Sequence, residues 1–141
     1  NRKNLTVITN SLPVLNALAG ADGITVICLG GMLRNSEMSF IGHITEQALS
    51  EVRVDKVIMG TRGVSLEHGL TNDYLQETLT DRAILKIGRE VIVVADHTKV
   101  NRVATVLLAP LDSMQTFVTD SQVSPDYVAA ARARGVRVIT A

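Results

Sequence analysis

The chain has 141 residues, 46% of them hydrophobic, which is enough for one domain with an ordinary core. Its 14 basic and 14 acidic residues leave no net charge. That balance argues against an autonomous nucleic-acid-binding domain, which neutralises phosphates with clustered lysine and arginine. Aromatic residues make up 3% and Trp is absent, so a surface that stacks bases is not expected either.

Short apolar runs recur along the chain and predict strands. These runs lie at 5–9, 24–30, 56–60, 90–96, 116–120 and 136–141. Most are continuous rather than alternating, as expected for strands covered on both faces of a parallel sheet. A further run at 104–108 fits either a shorter strand or a connection that faces the core. Cys28, the single cysteine, lies in the second run, so we expect an inert, buried thiol.

Helical patterns lie between the apolar runs. Segments 11–20 and 44–52 each predict a short helix. Segment 124–135 predicts another, with Ser124 as the N-cap and Gly135 just past the end. Strands that alternate with helices indicate an α/β fold, a mostly parallel sheet flanked by helices. We see no internal repeat or long linker, so residues 1–141 are expected to form a single domain.

The clearest helix is predicted within 72–90, where Asp73 can act as the N-cap. Apolar residues then recur at four-residue spacing and predict a stripe that faces the core. They are Leu75, Leu79, Ala83 and Ile87.

Polar residues and glycines follow several predicted strands, at the edge where α/β sheets bind ligands. The residues in these positions are Thr9, Asn10, Ser11, Gly30, Gly31, Arg62, Gly63, Asp96, Lys99 and Asp120. Glycine lets backbone N–H groups approach an oxyanion, and Arg62 and Lys99 supply positive charge. The set suits a small, anionic, hydroxylated ligand. The same residue types are also ordinary turn formers, and that alternative stays open.

Two further candidates lie at the start of the clearest helix. Thr71 precedes it, where unpaired N–H groups favour an anion. Glu77 lies one turn inside, on the same face as Ile84, so we expect a partly buried carboxylate. It could accept hydrogen bonds from a sugar hydroxyl or act as a base. The alternative is a first-turn Glu that simply complements the helix dipole.

Several chemistries lack support in the sequence. The paired glycines in "GGMLR" do not form a dinucleotide fingerprint, and no Walker motif exists, so we expect no cofactor. His43, His68 and His97 show no metal-ligand spacing. No serine lies in a GxSxG elbow, so no catalytic nucleophile is expected. No apolar run reaches the roughly 18 residues of a membrane helix, and the start lacks a signal-peptide pattern, so we expect a cytoplasmic protein.

The order of the motifs resembles one family over nearly the whole chain. The order is "LTVITNS", "VICLGGMLR", "SFIGH", "DKVIMGTRGVSLEHGLT", "REVIVVADHTK", "FVTD" and "GVRVITA". This pattern is similar to the C-terminal effector-binding domain of DeoR-type transcriptional regulators of sugar metabolism. The resemblance implies a Rossmann-like fold of the ribose-5-phosphate isomerase and CoA-transferase type. It also implies a non-enzymatic sensor that binds a phosphorylated sugar or related metabolite and thereby changes DNA binding, typically in a homo-oligomeric repressor.

The resemblance also assigns the ligand-binding residues. They are Thr9, Asn10, Ser11, Gly30, Gly31, Arg62, Gly63, Gly69, Thr71, Glu77, Asp96 and Lys99. Within the turn after the fourth strand, it implies that Asp96 and Lys99 bind and that His97 and Thr98 act as scaffolding.

Two departures from the family pattern matter. Arg62 stands where family members commonly carry an acid, which would replace an acceptor with donors. A first strand with a Gly-Thr-Thr phosphate loop, and the N-terminal winged helix-turn-helix through which DNA would be bound, are not in the sequence. We therefore expect 1–141 to be a truncated effector-binding domain.

Two alternatives remain open. One is an isomerase of sugar phosphates, with Glu77 as the base and Lys99 as the group that stabilises the enediolate. The other is an oligomerisation module that binds no ligand.

Overall fold

A computed structural model describes residues 3–141, and the chain divides into two compact units. The N-terminal unit is Asn1–Val52 and the C-terminal unit is Arg53–Ala141. No helix in the described part of the chain is long and apolar enough to cross a membrane.

The N-terminal unit contains a parallel strand pair and an antiparallel hairpin. Its elements are β1 (Leu5–Thr9), α1 (Leu12–Leu18), β2 (Ile24–Cys28), β3 (Met32–Arg34), β4 (Ser39–Ile41) and α2 (His43–Ser50). β1 and β2 pair in parallel and α1 connects them, while β3 and β4 pair antiparallel. The predicted strands and helices of this unit are confirmed, but the hairpin was not predicted. Its strands have three residues each, too few to show a period.

The C-terminal unit contains the main sheet. Its first elements are β5 (Val54–Met59), β6 (Gly63–Ser65), β7 (Gly69–Asn72), α3 (Leu75–Ile87) and β8 (Gly88–Val94). They are followed by β9 (Val106–Ala109), β10 (Thr116–Thr119), α4 (Pro125–Ala133) and β11 (Arg137–Thr140). Four strands form a parallel sheet in the order β11-β10-β8-β5, as the sequence predicts. The run at 104–108 is a strand, β9, which joins a three-stranded antiparallel sheet in the order β6-β7-β9.

The core of the C-terminal unit lies on one face of the parallel sheet. Its residues, in neighbouring registers, are Val57, Met59, Val91, Val93, Phe117 and Val138. The other face is apolar but exposed, since Ile58 is 72% exposed and Val94 is 45% exposed. The predicted α/β fold, a mostly parallel sheet flanked by helices, is confirmed, whereas the expectation that the strands are covered on both faces does not hold at Ile58 and Val94.

Helix α3 differs from the prediction in its buried side. Leu75 and Leu79 are 55% and 44% exposed, whereas Thr78 and Thr80 are fully buried. Thr78 can be buried because its hydroxyl is satisfied locally, donating to the carbonyl of Tyr74 at 2.7 Å. The prediction that the leucine stripe faces the core is therefore wrong for the first half of α3.

Two helix caps and the cysteine can also be compared with the predictions from the sequence. Tyr74, not Asp73, is the N-cap residue of α3, and Asp73 instead pairs with Arg102 at 3.7 Å. Ser124 caps α4 by accepting from the Tyr127 N–H, as predicted. Cys28 is exposed at the end of β2, so the prediction of a buried thiol is wrong.

Candidate functional site

The turn after β8 presents an acid and a lysine at the carboxyl edge of the parallel sheet. One turn of 3-10 helix, His97–Lys99, begins at Asp96. Asp96 Oδ1 accepts from the Thr98 N–H at 2.8 Å and from the Thr98 hydroxyl. Lys99 Nζ in turn donates to the Thr98 hydroxyl at 3.4 Å. The turn thus holds a carboxylate and an ammonium three residues apart, with Asp96 exposed and Lys99 half-buried.

The hydrogen bonds keep the carboxyl group of Asp96 ionised. The side-chain and backbone bonds from Thr98 lower the pKa of Asp96, with smaller contributions from Lys99 and His97. Near neutral pH the group is therefore an acceptor, which suits it to bind hydroxyl or N–H donors.

A second acid, Asp120, meets this turn from the end of β10. Because β8 and β10 are parallel neighbours, the residues that follow them lie at the same edge of the sheet. Asp120 Oδ2 accepts from the His97 N–H at 2.8 Å, and both of its oxygens lie 3.0 Å from His97 Nδ1. Asp120 Oδ1 also accepts from the Gln122 N–H at 2.8 Å. The backbone bonds from His97 and Gln122 lower the pKa of Asp120 to about 2.

Asp96, His97 and Asp120 also meet the distance requirement for a metal site. One ligand atom of each lies within 4.8 Å of the others. The bond between His97 Nδ1 and Asp120 accounts for the proximity of these two residues without an ion, and it occupies that ring nitrogen.

The β6–β7 hairpin places four predicted site residues where the backbone is closely packed. Thr71 is 3% exposed, and its hydroxyl accepts from the Ala104 N–H at 2.8 Å. A Cβ at Gly63 would collide with the carbonyl oxygen of Arg102. Arg62 donates its backbone N–H to the Thr71 carbonyl at 3.1 Å.

Gly69, the remaining predicted residue of this hairpin, has a left-handed backbone conformation with φ of +73°. A Cβ there would collide with the carbonyl oxygen of Ala109 on β9. The glycine of the "GLT" motif therefore lets two strands approach, whatever else it does.

A buried polar network beside this hairpin was not predicted. Asn72 is buried and donates through Nδ2 to Asp81 Oδ2 at 3.0 Å, which ties β7 to α3. Its Oδ1 accepts from the Thr61 hydroxyl at 3.3 Å and from the Arg62 N–H at 3.2 Å. Glu77, the candidate base, lies in the first turn of α3 and is half-buried. The sequence gives no signal for the network, because its members come from three separate elements.

In the N-terminal unit, each side chain of the predicted "TNS" motif takes part in a hydrogen bond within that unit. Thr9 Oγ1 accepts from the Ser11 N–H at 3.1 Å, and Ser11 caps α1 by accepting from the Val14 N–H at 3.5 Å. Asn10 Nδ2 donates to the Phe40 carbonyl at 2.9 Å. The motif therefore fixes the end of β1 against β4.

The paired glycines after β2 differ from each other. A Cβ at Gly30 would meet nothing within 4 Å, so its backbone is open to approach. A Cβ at Gly31 would collide with the hydroxyl of the buried Thr45 and lie 2.9 Å from the carbonyl oxygen of Ile41. Thr45 donates to the Gly30 carbonyl at 2.7 Å, so Gly31 makes room for that bond.

Two buried hydroxyl groups lack a hydrogen-bond partner within the described part of the chain. They belong to Thr119, the last residue of β10, and to Ser39, the first residue of β4. Buried polar groups are normally paired, so these two hydroxyl groups are exceptions to the rule. Thr119 directly precedes Asp120 at the carboxyl edge of the sheet.

Comparisons with known proteins place this geometry in a family. The chain is 32% identical over 125 residues to the HTH-type transcriptional regulator IolR of Bacillus subtilis, covering 89% of the chain and 50% of that protein. It is 33% identical over 121 residues to the glycerol-3-phosphate regulon repressor of Escherichia coli, covering 86% and 48%. It is 31% identical over 140 residues to a putative aga operon transcriptional repressor of Escherichia coli O157:H7, covering 98% and 52%.

The chain thus spans about half the length of the curated relatives it matches. The family described as the DeoR C-terminal sensor domain matches residues 1–121, which include every predicted ligand-binding residue. The chain therefore belongs to the DeoR C-terminal sensor domains.

Proposed function

We propose that the chain is the effector-binding part of a transcriptional regulator of carbohydrate metabolism, acting as a repressor. The family and the names of the relatives support this, since they include a repressor of a glycerol-3-phosphate regulon and one of an aga operon. DNA would be bound by another region of a longer, homo-oligomeric protein, in the cytoplasm where the chromosome lies. The effector would bind one state of the regulator more tightly and so shift its affinity for DNA.

The effector in this proposal is a phosphorylated sugar or a related metabolite. The observation that supports it is that Asp96 and Lys99 lie in one turn at the carboxyl edge of the parallel sheet. Lys99 would bind a phosphate oxygen, and the ionised Asp96 would accept bonds from hydroxyl groups. Parallel α/β sheets bind ligands at this edge.

The other predicted ligand-binding residues would contribute to effector binding in different ways. Gly30 would offer its backbone N–H to an anion, because its backbone is open to approach. Arg62 and Glu77 would contribute side chains. Most of the rest have structural roles of their own, as hydrogen-bond partners or as glycines at close approaches, so the proposal relies on Asp96 and Lys99 rather than on them; they are Thr9, Asn10, Ser11, Gly31, Gly63, Gly69 and Thr71.

A thermal-shift screen of the full-length regulator against sugar phosphates tests the function. A ligand that binds the folded state raises stability by RT ln(1 + [L]/Kd), about 2.7 kcal/mol at one hundred times Kd. We expect a rise in Tm with at least one of ribose 5-phosphate, glucose 6-phosphate and glycerol 3-phosphate. The unphosphorylated sugars serve as controls and should shift the Tm much less. No shift with any phosphorylated compound would overturn the proposal.

The proposal also holds that binding occurs without turnover. An isomerase would use Glu77 as the base and would interconvert aldose and ketose phosphates. Incubation of the regulator with each phosphate that binds, followed by chromatography of the products, separates the two functions. Isomerisation that disappears in Glu77→Gln would replace the sensor with an enzyme.

A further inference from the structure

Hydrogen bonds join Asp120 to the turn that carries Asp96 and Lys99, and the proposed function gives them no role. Asp120 follows a strand like the other candidates, but it is not among the ligand-binding residues that the family resemblance assigns. It belongs to the loop after β10, yet both of its carboxylate oxygens bond to His97 on the neighbouring strand's turn. The side chains of His97 and Asp120 are each about one-third exposed, at 35% and 32%.

The turn's internal hydrogen bonds fix its shape but not its place on the sheet. They join Asp96 to Thr98 and the Lys99 N–H to the Asp96 carbonyl at 3.0 Å. All of them connect residues of the same turn, so they would survive if the turn moved as a body.

Contacts to other elements hold the turn in position. On its far side, the Asn101 N–H donates to the Val64 carbonyl at 2.9 Å, and Val64 also forms a β-bridge with Val100. On its near side, the strand ladder ends with the bond from the Ala95 N–H to the Val118 carbonyl at 3.1 Å. Between that bond and the bridge at Val100, the hydrogen bonds of His97 to Asp120 anchor the turn to a different element.

The chemistry of this anchor requires a carboxylate. Every hydrogen bond of Asp120 comes from a donor: the His97 backbone N–H, the His97 ring and the Gln122 backbone N–H. An amide of the same size offers one acceptor and would direct its NH₂ group at an N–H donor. Asp120→Asn therefore removes part of the anchor without changing the volume of the side chain.

We propose that Asp120 is a positioning residue of the effector site: through His97 it holds Asp96 and Lys99 in the place where they bind the effector, without contacting the effector itself. The inference rests on the proposed function, because it assigns the effector to Asp96 and Lys99. It predicts that effector affinity depends on a residue that the binding motif does not include.

The first test measures the position of the turn without any ligand. Amide hydrogen exchange of the full-length regulator should become faster at His97 and Asn101 in Asp120→Asn than in the wild type, because these two N–H groups donate to other elements, to Asp120 and to Val64. Asp112→Asn, an exposed acid in the turn Leu111–Ser113, is the matched control and should leave both amides unchanged. Unchanged exchange in Asp120→Asn would overturn the inference, whether or not an effector is found.

The second test measures affinity by calorimetry with the phosphate that gives the largest shift among ribose 5-phosphate, glucose 6-phosphate and glycerol 3-phosphate. Asp120→Asn should weaken binding about tenfold and Asp112→Asn should not. A comparison with Lys99→Ala shows whether Asp120 acts through the turn, since effects of coupled residues are not additive. In the Lys99→Ala background, Asp120→Asn should weaken binding less than tenfold. Full additivity would contradict the inference.

The outcomes separate the inference from the proposed function. If Lys99→Ala binds as tightly as the wild type, the proposed site is wrong. If Lys99→Ala binds weakly but Asp120→Asn binds normally, only the role of Asp120 is wrong. Should Asp120→Asn fail to fold, His97→Ala removes the ring contact alone and should still weaken binding by about threefold; normal binding in His97→Ala would then count against the inference.

Discussion

At the scale of single residues, the proposed function divides the turn after β8 between binding and support. The exposed Asp96 and the half-buried Lys99 carry charges of opposite sign, and Thr98 links the two through its hydroxyl. His97 points to Asp120 instead, and the backbone N–H groups of His97 and Gln122, with a smaller contribution from the His97 ring, lower the pKa of Asp120. Two charged groups of opposite sign three residues apart suit a ligand that has both a phosphate and hydroxyl groups.

Lys99→Ala tests the binding half of this division. We expect effector affinity to fall by about 1–3 kcal/mol, roughly 5- to 150-fold, because a charged hydrogen bond to phosphate is lost. Lys86→Ala is the control, since Lys86 is an exposed lysine in the last turn of α3. Calorimetry with the phosphate found in the thermal-shift screen measures both variants. Equal affinities for Lys99→Ala and Lys86→Ala would remove Lys99 from the site.

The sequence could identify Asp96 and Lys99 as candidates but could not identify Asp120 as their support. Asp96 follows a strongly apolar run, so the strand-end rule selects it directly. Asp120 also follows a strand, but its contact with His97 depends on which strands are neighbours in the sheet. Strand order is a property of the tertiary fold, and a single sequence does not reveal it.

At the scale of elements, the parallel strands were predictable and the hairpins were not. β5, β8, β10 and β11 are runs of several apolar residues, which the buried face of the sheet requires. β6 and β7 are short, and their motif residues looked like ligand-binding residues because they are polar or glycine. The structure gives a packing reason for Gly69 and a buried hydrogen bond for the Thr71 hydroxyl.

The effect of the close approach at Gly69 can be measured as a change in the free energy of unfolding. Gly69→Ala would force Ala into a left-handed conformation and push its Cβ against the backbone of Ala109. Gly135→Ala is the matched control, because Gly135 has a φ of +85° but nothing within 4 Å of its Cβ position. We expect a loss of about 1 kcal/mol for Gly135→Ala, from backbone strain alone, and at least about 2 kcal/mol for Gly69→Ala. Urea denaturation measures both, and equal losses would show that the close approach to β9 does not constrain residue 69.

Helix α3 shows why the periodicity of apolar residues can select the wrong face. Leu75 and Leu79 have the expected spacing, yet they are exposed while Thr78 and Thr80 are buried. A threonine in a helix can bury its hydroxyl by bonding to a preceding carbonyl, as Thr78 does with Tyr74. A prediction based only on the polarity of each residue type therefore chose the wrong buried side, although the helix itself was correctly predicted.

At the scale of the whole molecule, net charge bears on whether this chain can bind nucleic acid by itself. Its 14 basic and 14 acidic residues cancel, and many of the acids and bases lie on the surface. Cys28, Ile58 and Val94 show that exposure was harder to predict than pairing, because exposure depends on which faces other segments cover. Net charge is known from the sequence without any knowledge of the fold, so an expectation about nucleic-acid binding follows from it directly.

We predict that this chain alone does not bind DNA appreciably, whereas the longer regulator does. Non-specific DNA binding releases counterions when lysine and arginine neutralise phosphates, and it gives Kd values of about 10⁻⁴–10⁻⁶ M at physiological salt for proteins built for it. A chain with zero net charge lacks the excess of cations that this requires. Fluorescence anisotropy with a labelled duplex from the regulator's own promoter, at about 150 mM salt, compares the two proteins. Binding by the chain alone with an affinity that falls steeply with salt would show a phosphate-binding surface and would contradict the division of labour proposed for the regulator.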